Sequence, residues 1–527
     1  MNSIKPLLAS ISEEDHSPLV DALLEHIQQQ SKLIEQLEDE IQRLKKETRK
    51  PKFKPSGMDL KTEPKGNKPS KKKKKGPKRK KKPNLKIHEE KIIEPDNLPE
   101  GARSKGYQDV IVQDIVIHAH NIRYRLAQYQ TKDGKYIVGQ LPEGIRNHWG
   151  STLQSFILYQ YHHQHVTQPL LLEQLHDLKI DISSGQLSNL ITQKQDCFHE
   201  EKDAVLEAGI KHAQYLHTDD TGARHAGKTG YCTHIGNDFF AWFKSTESKS
   251  RINFLKLLHY NKDKEEKQYI FNSGAFEYME RQKLPKAILA QLEEHDFEGT
   301  DQEGLTKWLV EKGIKNSRHQ KIITEGALIG SLLRHGIPTN IAIISDDAGQ
   351  FNVFDHALCW IHTERLIHRL IPLNDQHKKA VEWVRSQIWA IYADLKAYKK
   401  SPSKKQKKKI RKDFIDLCQT KTSYETLNQL LKRIGRNQHE LLRVLERPEL
   451  PLHNNLSEND IRDYVKKRKI SGSTRSENGR KCRDTFASLK KTCRKHSISF
   501  WEYLVDRTSG KNLIPSMPEL IQKAACG

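Results

Sequence analysis

The chain lacks any apolar run approaching the ~18–20 residues that span a bilayer, so a transmembrane helix is not expected. Its start, Met1-Asn2-Ser3-Ile4-Lys5, lacks the apolar stretch and cleavage site of a secretory signal. Cysteine is scarce: seven in 527 residues, scattered, with no Cys-x-x-Cys pair. That spacing argues against a disulfide framework and a zinc ribbon, and it favours a reducing, intracellular setting. No single core accommodates a chain this long, so two to four domains are expected.

Positive charge is what the sequence has in excess, a net +23, and it is unevenly placed. Between Lys45 and Lys86 there are 20 Lys/Arg against three acids, Glu47, Asp59 and Glu63, giving 20 − 3 = +17 and leaving 23 − 17 = +6 elsewhere. The densest runs are Lys71, Lys72, Lys73, Lys74, Lys75 and then Lys78, Arg79, Lys80, Lys81, Lys82. Such a segment cannot bury apolar surface, so it reads as a basic disordered arm over 49–90. Lysines in this density neutralise phosphates and release counterions, which makes nucleic acid the expected partner. The competing reading is a solvated linker that keeps the chain soluble.

Ahead of the arm, Val20, Ile27, Ile34 and Ile41 fall seven apart, with Leu23, Gln30, Leu37 and Leu44 three places later. These are a and d positions of a coiled coil over 1–48, and β-branched a residues with Leu at d favour a parallel homodimer. Beyond the arm, Val110–Val112, Ile115–Ile117, Tyr124–Leu126 and Tyr136–Val138 around Asp133-Gly134 predict a small β-rich module within 91–148. It holds no cysteine. Over 149–205 a helix from Pro169 to Leu178, a turn at Lys179–Ser183 and a second helix from Ser184 to Ile191 form a helix-turn-helix-like pair. Gln186, Ser188 and Asn189 on the second helix are candidate DNA contacts.

The stretch Tyr215-Leu216-His217-Thr218-Asp219-Asp220-Thr221 reads as a strand ending in two adjacent carboxylates. Tyr231–Ile235 and Phe239–Phe243 flank Gly236-Asn237-Asp238 as a hairpin, and a helix with Ile252, Phe254, Leu255, Leu257 and Leu258 follows. Three antiparallel strands and a helix fit the opening of a ribonuclease H-like fold. Residues 262–335 look like a charged, helical insertion. Asn340–Ile344 is a buried-strand run with Asp346 at its end, followed by Asp347, Phe351 and Cys359-Trp360-Ile361-His362. Cys359 and His362 are two potential ligands where a zinc site needs four, so they read as packing or orienting residues. A second helical insertion over about 370–446 carries a basic turn, Lys404-Lys405-Gln406-Lys407-Lys408-Lys409. Finally Asn455 caps a helix with Glu458 in its first turn, where the helix dipole favours a carboxylate.

Taken in order, these residues resemble the transposases of the insertion sequence 66 family. The matching texts are Asp219-Asp220-Thr221, Asp346 with Phe351, Cys359-Trp360-Ile361-His362 and Asn454-Asn455-Leu456-Ser457-Glu458, with Arg468-Lys469, Thr492 and Tyr503-Leu504 at the end. The resemblance covers about 85–510. It implies an α/β protein with a ribonuclease H-like catalytic core, a mixed sheet with flanking helices, over 206–510, followed by a tail at 511–527. It departs from the family where the cysteines of a zinc-binding module are missing, and where Asn459 stands in place of an Arg after the catalytic Glu.

The resemblance further implies a DDE transposase that cleaves DNA and transfers strands at insertion-sequence ends. Asp219, Asp346 and Glu458 are then both catalytic residues and ligands of two Mg²⁺ (or Mn²⁺) ions, with zinc not expected. Asp220 and Asp347 are the alternatives in register. The implied partners are element ends, target DNA and accessory transposition proteins, in a bacterial cytoplasm on chromosome or plasmid DNA. The rival is a catalytically silent, transposase-derived dimeric DNA-binding regulator.

Overall fold

The computed structural model describes residues 86–94, 96, 102–103, 105–142, 148–259, 268–295, 297–299 and 301–526. The coiled coil expected over 1–48 and the lysine runs Lys71–Lys75 and Lys78–Lys82 lie outside the described residues. The chain divides into two units, 1–94 and 95–527. In the first, residues 86–94 are exposed and without regular structure. All the elements below belong to the second.

That unit begins with an exposed stretch in which β1 (Gln128–Gln130) and β2 (Tyr136–Val138) pair as an antiparallel hairpin. The turn between them places Gly134 at φ 77°, a conformation glycine adopts without strain. Asp133-Gly134 thus turns the chain as expected, and the first strand forms four residues later than Tyr124. Val110–Val112 and Ile115–Ile117 form no strand; their large side chains are exposed. β-branched residues favour a strand only where a neighbour supplies ladder bonds and a face to bury. Here neither is present among the described residues.

Next come α1 (Ser151–Leu158), a π-turn at Tyr159–His163, α2 (Gln168–Asp177), α3 (Ser184–Thr192) and α4 (Asp196–Lys211). Pro169 sits in the first turn of α2, where its missing N–H costs nothing. The Ser183 hydroxyl accepts from the Gln186 N–H at 3.2 Å and the Gln186 side chain accepts from the Ser183 N–H at 2.9 Å, a capping box. Ile157, Leu171, Leu175, Ile182, Leu187 and Ile191 close a small core of their own.

The central sheet follows: β3 (Tyr215–Gly222), β4 (Tyr231–Gly236) and β5 (Ala241–Thr246) are antiparallel. The β4–β5 connection is Asn237–Phe240, one residue longer than the sequence suggests, because Phe239 and Phe240 belong to the turn. Then come α5 (Arg251–Leu258), β6 (Tyr269–Ile270), α6 (Ser273–Arg281), α7 (Lys286–Glu293), β7 (Glu298–Gly299), α8 (Gln302–Glu311) and α9 (Ser317–Arg334). Every residue of α9 from Ile322 to Leu332 is buried. A Cβ on its Gly330 would stand 2.3 Å from the Ile270 carbonyl, so only glycine admits this approach. Met279, Leu305, Ile323 and Leu328 join Leu216 and Ile343 of the sheet in one core. The region expected as a charged insertion is therefore part of the main core; its lysines and glutamates coat a buried helix layer.

β8 (Ala342–Ser345) and β9 (Asp355–Leu358) complete a five-stranded mixed sheet in the order β5-β4-β3-β8-β9, with β3, β8 and β9 parallel. The wholly buried Ala-Ile-Ile-Ser of β8 is what a strand covered on both faces requires. α10 (Trp360–His368), α11 (Asp375–Lys400), α12 (Lys404–Gln419), α13 (Glu425–Arg436) and α14 (Gln438–Leu441) build a second core around Val384, Phe414 and Leu431. The basic turn expected at Lys404–Lys409 is instead the start of α12, capped by Ser403. Lys407 bonds Glu446 at 2.5 Å and Lys409 bonds Asp394 at 2.7 Å.

The chain ends in α15 (Asn455–Ser471), α16 (Glu477–Lys495), α17 (Phe500–Ser509) and α18 (Met517–Cys526). α16 closes the outer edge of β5. Asp484, Ser488 and Thr492, four apart on one helix face, accept from the N–H groups of Ser245, Phe243 and Ala241 at 2.7, 2.9 and 3.2 Å. An edge strand left unpaired would template aggregation; this one is satisfied by side chains. Among the described residues, no helix is long and apolar enough to cross a membrane.

Candidate active site

β3 pairs with β8 through Tyr215, Leu216 and His217 against Ala342, Ile343 and Ile344. Two residues beyond the last pair, 217 + 2 and 344 + 2, lie Asp219 and Asp346. Both emerge where two adjacent parallel strands part, at the C-terminal end of the sheet, the usual place for a ligand in α/β folds.

Side chains alternate along β3, so His217, Asp219 and Thr221 share one face. That face is covered by α15. His217 Nδ1 donates to Asn454 Oδ1 at 2.8 Å, and Arg468 Nη1 donates to Thr221 Oγ1 at 3.1 Å. On the neighbouring strand His234, opposite Asp219, shares a 2.6 Å hydrogen bond with Ser457. Glu458 is held between these anchors, in the first turn of α15.

All three carboxylates are half-buried, and the charges of Asp346 and Glu458 reach Asp219. Asp219 is pushed up to about 7, chiefly by burial. The Asp220 N–H, bonded to it at 2.8 Å, partly offsets this, while the charges of Asp346, Asp220 and Glu458 add to it. Each acid also has its own contact. Asp346 accepts from the Ala348 N–H at 3.1 Å, and Glu458 lies 3.1 Å from Arg365 and 3.5 Å from His362.

The neighbouring acids are engaged elsewhere. Asp220, on the opposite face of β3, accepts from Thr233 Oγ1 at 2.5 Å and from Gln350 Nε2 at 2.9 Å. Asp347 is bonded to Arg433 and to Asn437. Cys359 is buried, its thiol pushed up to about 11 mainly by that burial, and its Sγ accepts from the Asn454 N–H at 3.2 Å. It orients Asn454, which precedes α15 as its N-cap in place of the expected Asn455. His362 contributes from one turn along α10 by facing Glu458.

Sequence reasoning passed over Asn454, His217, Ser457, His234 and Arg365, which fix Asp219 and Glu458 relative to each other. Asn454 and Ser457 stand in the motif text; the signal for His217 and His234, polar residues at alternate strand positions, is common in any half-exposed strand, and Arg365 is one basic residue among several on its helix. Of the candidate DNA contacts, Gln186 and Asn189 are exposed and Ser188 half-buried. Gln186 spends its carbonyl on the cap of α3, so its amide alone is free to reach outward.

The donor set is all carboxylate oxygen, which suits a hard cation such as Mg²⁺. Burial and mutual repulsion leave Asp219 short of positive charge, the condition a cation relieves. Against this, among the described residues no three His, Cys, Asp or Glu side chains stand close enough to share one ion.

Residues 331–482 match the model of a family described as Transposase IS66 family. That span includes Asp346, Cys359, His362 and Glu458. The chain is also 43% identical over 306 residues to an uncharacterized protein, y4jO, of Sinorhizobium fredii; the match covers 58% of this chain and 94% of the relative.

Proposed function

The chain belongs to the IS66 transposase family, and we propose that it is a DDE transposase with a ribonuclease H-like core. In this reading it cleaves DNA at insertion-sequence ends and joins those ends to target DNA. The observation that carries it is that Asp219 and Asp346 leave adjacent parallel strands at matching positions, with Glu458 in the first turn of the helix that covers the same face of β3. The sheet order β5-β4-β3-β8-β9, an antiparallel meander extended by parallel strands, supports the fold assignment.

Asp219, Asp346 and Glu458 would hold two Mg²⁺ or Mn²⁺ ions, which supply activation of the attacking oxygen and stabilisation of the leaving one. The chain's own part is positional. Asn454 fixes the start of α15 against β3, so that Glu458 faces Asp219. Arg365 neutralises Glu458 in the absence of a cation and, displaced, leaves a guanidinium free to meet a phosphate. The helix pair α2–α3 supplies a DNA-docking surface, and the arm with Lys71–Lys75 and Lys78–Lys82 supplies phosphate affinity. The heptads at Val20, Ile27, Ile34 and Ile41 support a homodimer that holds two element ends together.

A second reading has two observations in its favour: among the described residues no three such side chains stand close enough to share one ion, and Glu458 is ion-paired. A catalytically silent dimeric DNA-binding protein would have such a site. An Mg²⁺-dependent strand-transfer assay on DNA flanking the coding region separates the two. Asp219→Ala, Asp346→Ala and Glu458→Ala should each abolish transfer and leave DNA binding nearly intact; full activity in one removes that residue from the site. A wild-type protein that binds the ends but never joins them supports the silent reading.

A further inference from the structure

The π-turn at Tyr159–His163 faces α15 and α16 across a solvent-open cleft whose water-accessible volume is about 20 Å³. Lys467, Arg483 and Lys490 line it, and they are only 5%, 7% and 5% exposed. Buried cations need counter-charges. The two carboxylates there are already shared: Asp460 lies 3.0 Å from Lys495 and 3.7 Å from Lys491, and Asp463 lies 3.0 Å from Lys491 and 3.8 Å from Lys490. Among the described residues neither Lys467 nor Arg483 has a carboxylate partner. Lys467 donates to the Tyr161 carbonyl at 2.7 Å and sits 3.5 Å from that ring's centre, while Arg483 donates to the Gly472 carbonyl at 3.2 Å. The buried Nε2 of His162, also lining the cleft, has no hydrogen-bond partner among the described residues.

We infer that Lys467, Arg483 and Lys490 form a binding site for a phosphate group, between the turn that leads into the α2–α3 pair and the helix that carries Glu458. A guanidinium offers a planar fork and the two ammonium groups offer point charges, a set suited to a tetrahedral oxyanion of more than one negative charge. The site as it stands is under electrostatic stress that such an anion relieves. Burial first, then Arg483 and Lys490, push Lys467 down to about 7; burial likewise pushes Lys490 down to about 8. The rim carries Lys466 and Arg494, 63% and 64% exposed, which would guide an anion inward. Lys467 is nine residues from Glu458 on one helix, about 13.5 Å along its axis. A phosphate bound here would brace that helix against the DNA-docking pair. Two sources share this chemistry, free phosphate and a phosphodiester of the DNA backbone.

The full-length protein is tested in two arms, both without Mg²⁺ and so independent of the strand-transfer reading. In the first, chloride is replaced by inorganic phosphate at constant ionic strength and the melting temperature is followed. In the second, the affinity for a random-sequence duplex is measured against salt. Lys467→Gln and Arg483→Gln are the variants, with Lys467→Arg retaining the charge. A free-phosphate site gives a phosphate-dependent rise in melting temperature in wild type and Lys467→Arg that both glutamine variants lose. A backbone site gives a salt slope reduced by about 1 in each glutamine variant and unchanged in Lys467→Arg. An equal response of wild type and both glutamine variants in both arms overturns the inference. Because the two glutamine variants stand on different helices, failure of one to fold leaves the other to decide.

Discussion

The side-chain amide of Asn454 donates to the Thr218 carbonyl at 2.7 Å, tying the residue before Asp219 to the N-cap of the helix of Glu458. The same side chain accepts from His217, and its backbone N–H donates to Cys359. One fully buried asparagine thus sets the spacing of two site carboxylates that are 458 − 219 = 239 residues apart in sequence. Asn454→Ala strands buried partners on both sides, a cost of about 2–3 kcal/mol. A lowered denaturation midpoint is expected, with strand transfer falling further than stability explains. Asn454→Asp keeps an acceptor for His217 but loses the donor to Thr218, and should fall between the two. Wild-type transfer by Asn454→Ala would remove the asparagine from any role in the site.

Adjacent acids offer the sharpest control. Asp219 and Asp220 differ by one position and face opposite sides of β3, as Asp346 and Asp347 differ in where they are engaged. Asp220→Asn can still bond Thr233 and Gln350, and Asp347→Asn can still accept from Arg433. Both should keep transfer within about tenfold of wild type, a loss of no more than ~1.4 kcal/mol in barrier. Asp219→Asn and Asp346→Asn should lose it. The reverse ranking within either pair exchanges the ligand assignments.

The strand-end positions of Asp219 and Asp346 were legible in the sequence because short, strongly patterned segments precede them: Tyr215–Thr218 and Asn340–Ile344 have the apolar pattern of strands. The α2–α3 pair was legible because its start and stop signals, Pro169, Ser183 and Gln186, act within a few residues. What could not be read was long-range partnership. Asp484, Ser488 and Thr492 look like ordinary polar helix residues until β5 lies beside them. The stretch around Ile323 and Leu328 was read as a charged insertion, since the flanking lysines and glutamates dominate its composition while burial on all sides is decided by α6 and β6. Val110–Ile117 failed the other way: local strand preference is strong, yet among the described residues no neighbour completes a sheet.

Arg365 and a cation cannot both neutralise Glu458. With the guanidinium 3.1 Å from the carboxylate, binding an ion there must displace an existing pair. Arg365→Gln removes the competitor, so less Mg²⁺ should be needed for half of the metal-induced rise in melting temperature. A shift of two- to tenfold corresponds to about 0.4–1.4 kcal/mol, the range of a partly exposed ion pair. A higher Mg²⁺ requirement would instead mean that Arg365 holds Glu458 in the geometry the ion needs.

Lys467 gives a pH signature that no surface lysine shares. Its ammonium is held near 7 in the fold against an ordinary value of 10.5, so the unfolded chain binds the proton more tightly than the folded one does. The cost to stability is therefore full below about pH 7, shrinks between 7 and 10.5, and is gone above. Lys467→Met removes it. In chloride buffer the variant should exceed wild type in stability by on the order of 1–3 kcal/mol at pH 6, less the lost bond to Tyr161. That advantage should fall steadily through pH 8 and disappear or reverse by pH 10. Inorganic phosphate at pH 6 should also shrink it, by stabilising the charged wild-type site alone. Denaturant midpoints at the three pH values measure the trend, and an advantage that does not change with pH would show that Lys467 keeps an ordinary proton affinity in the fold.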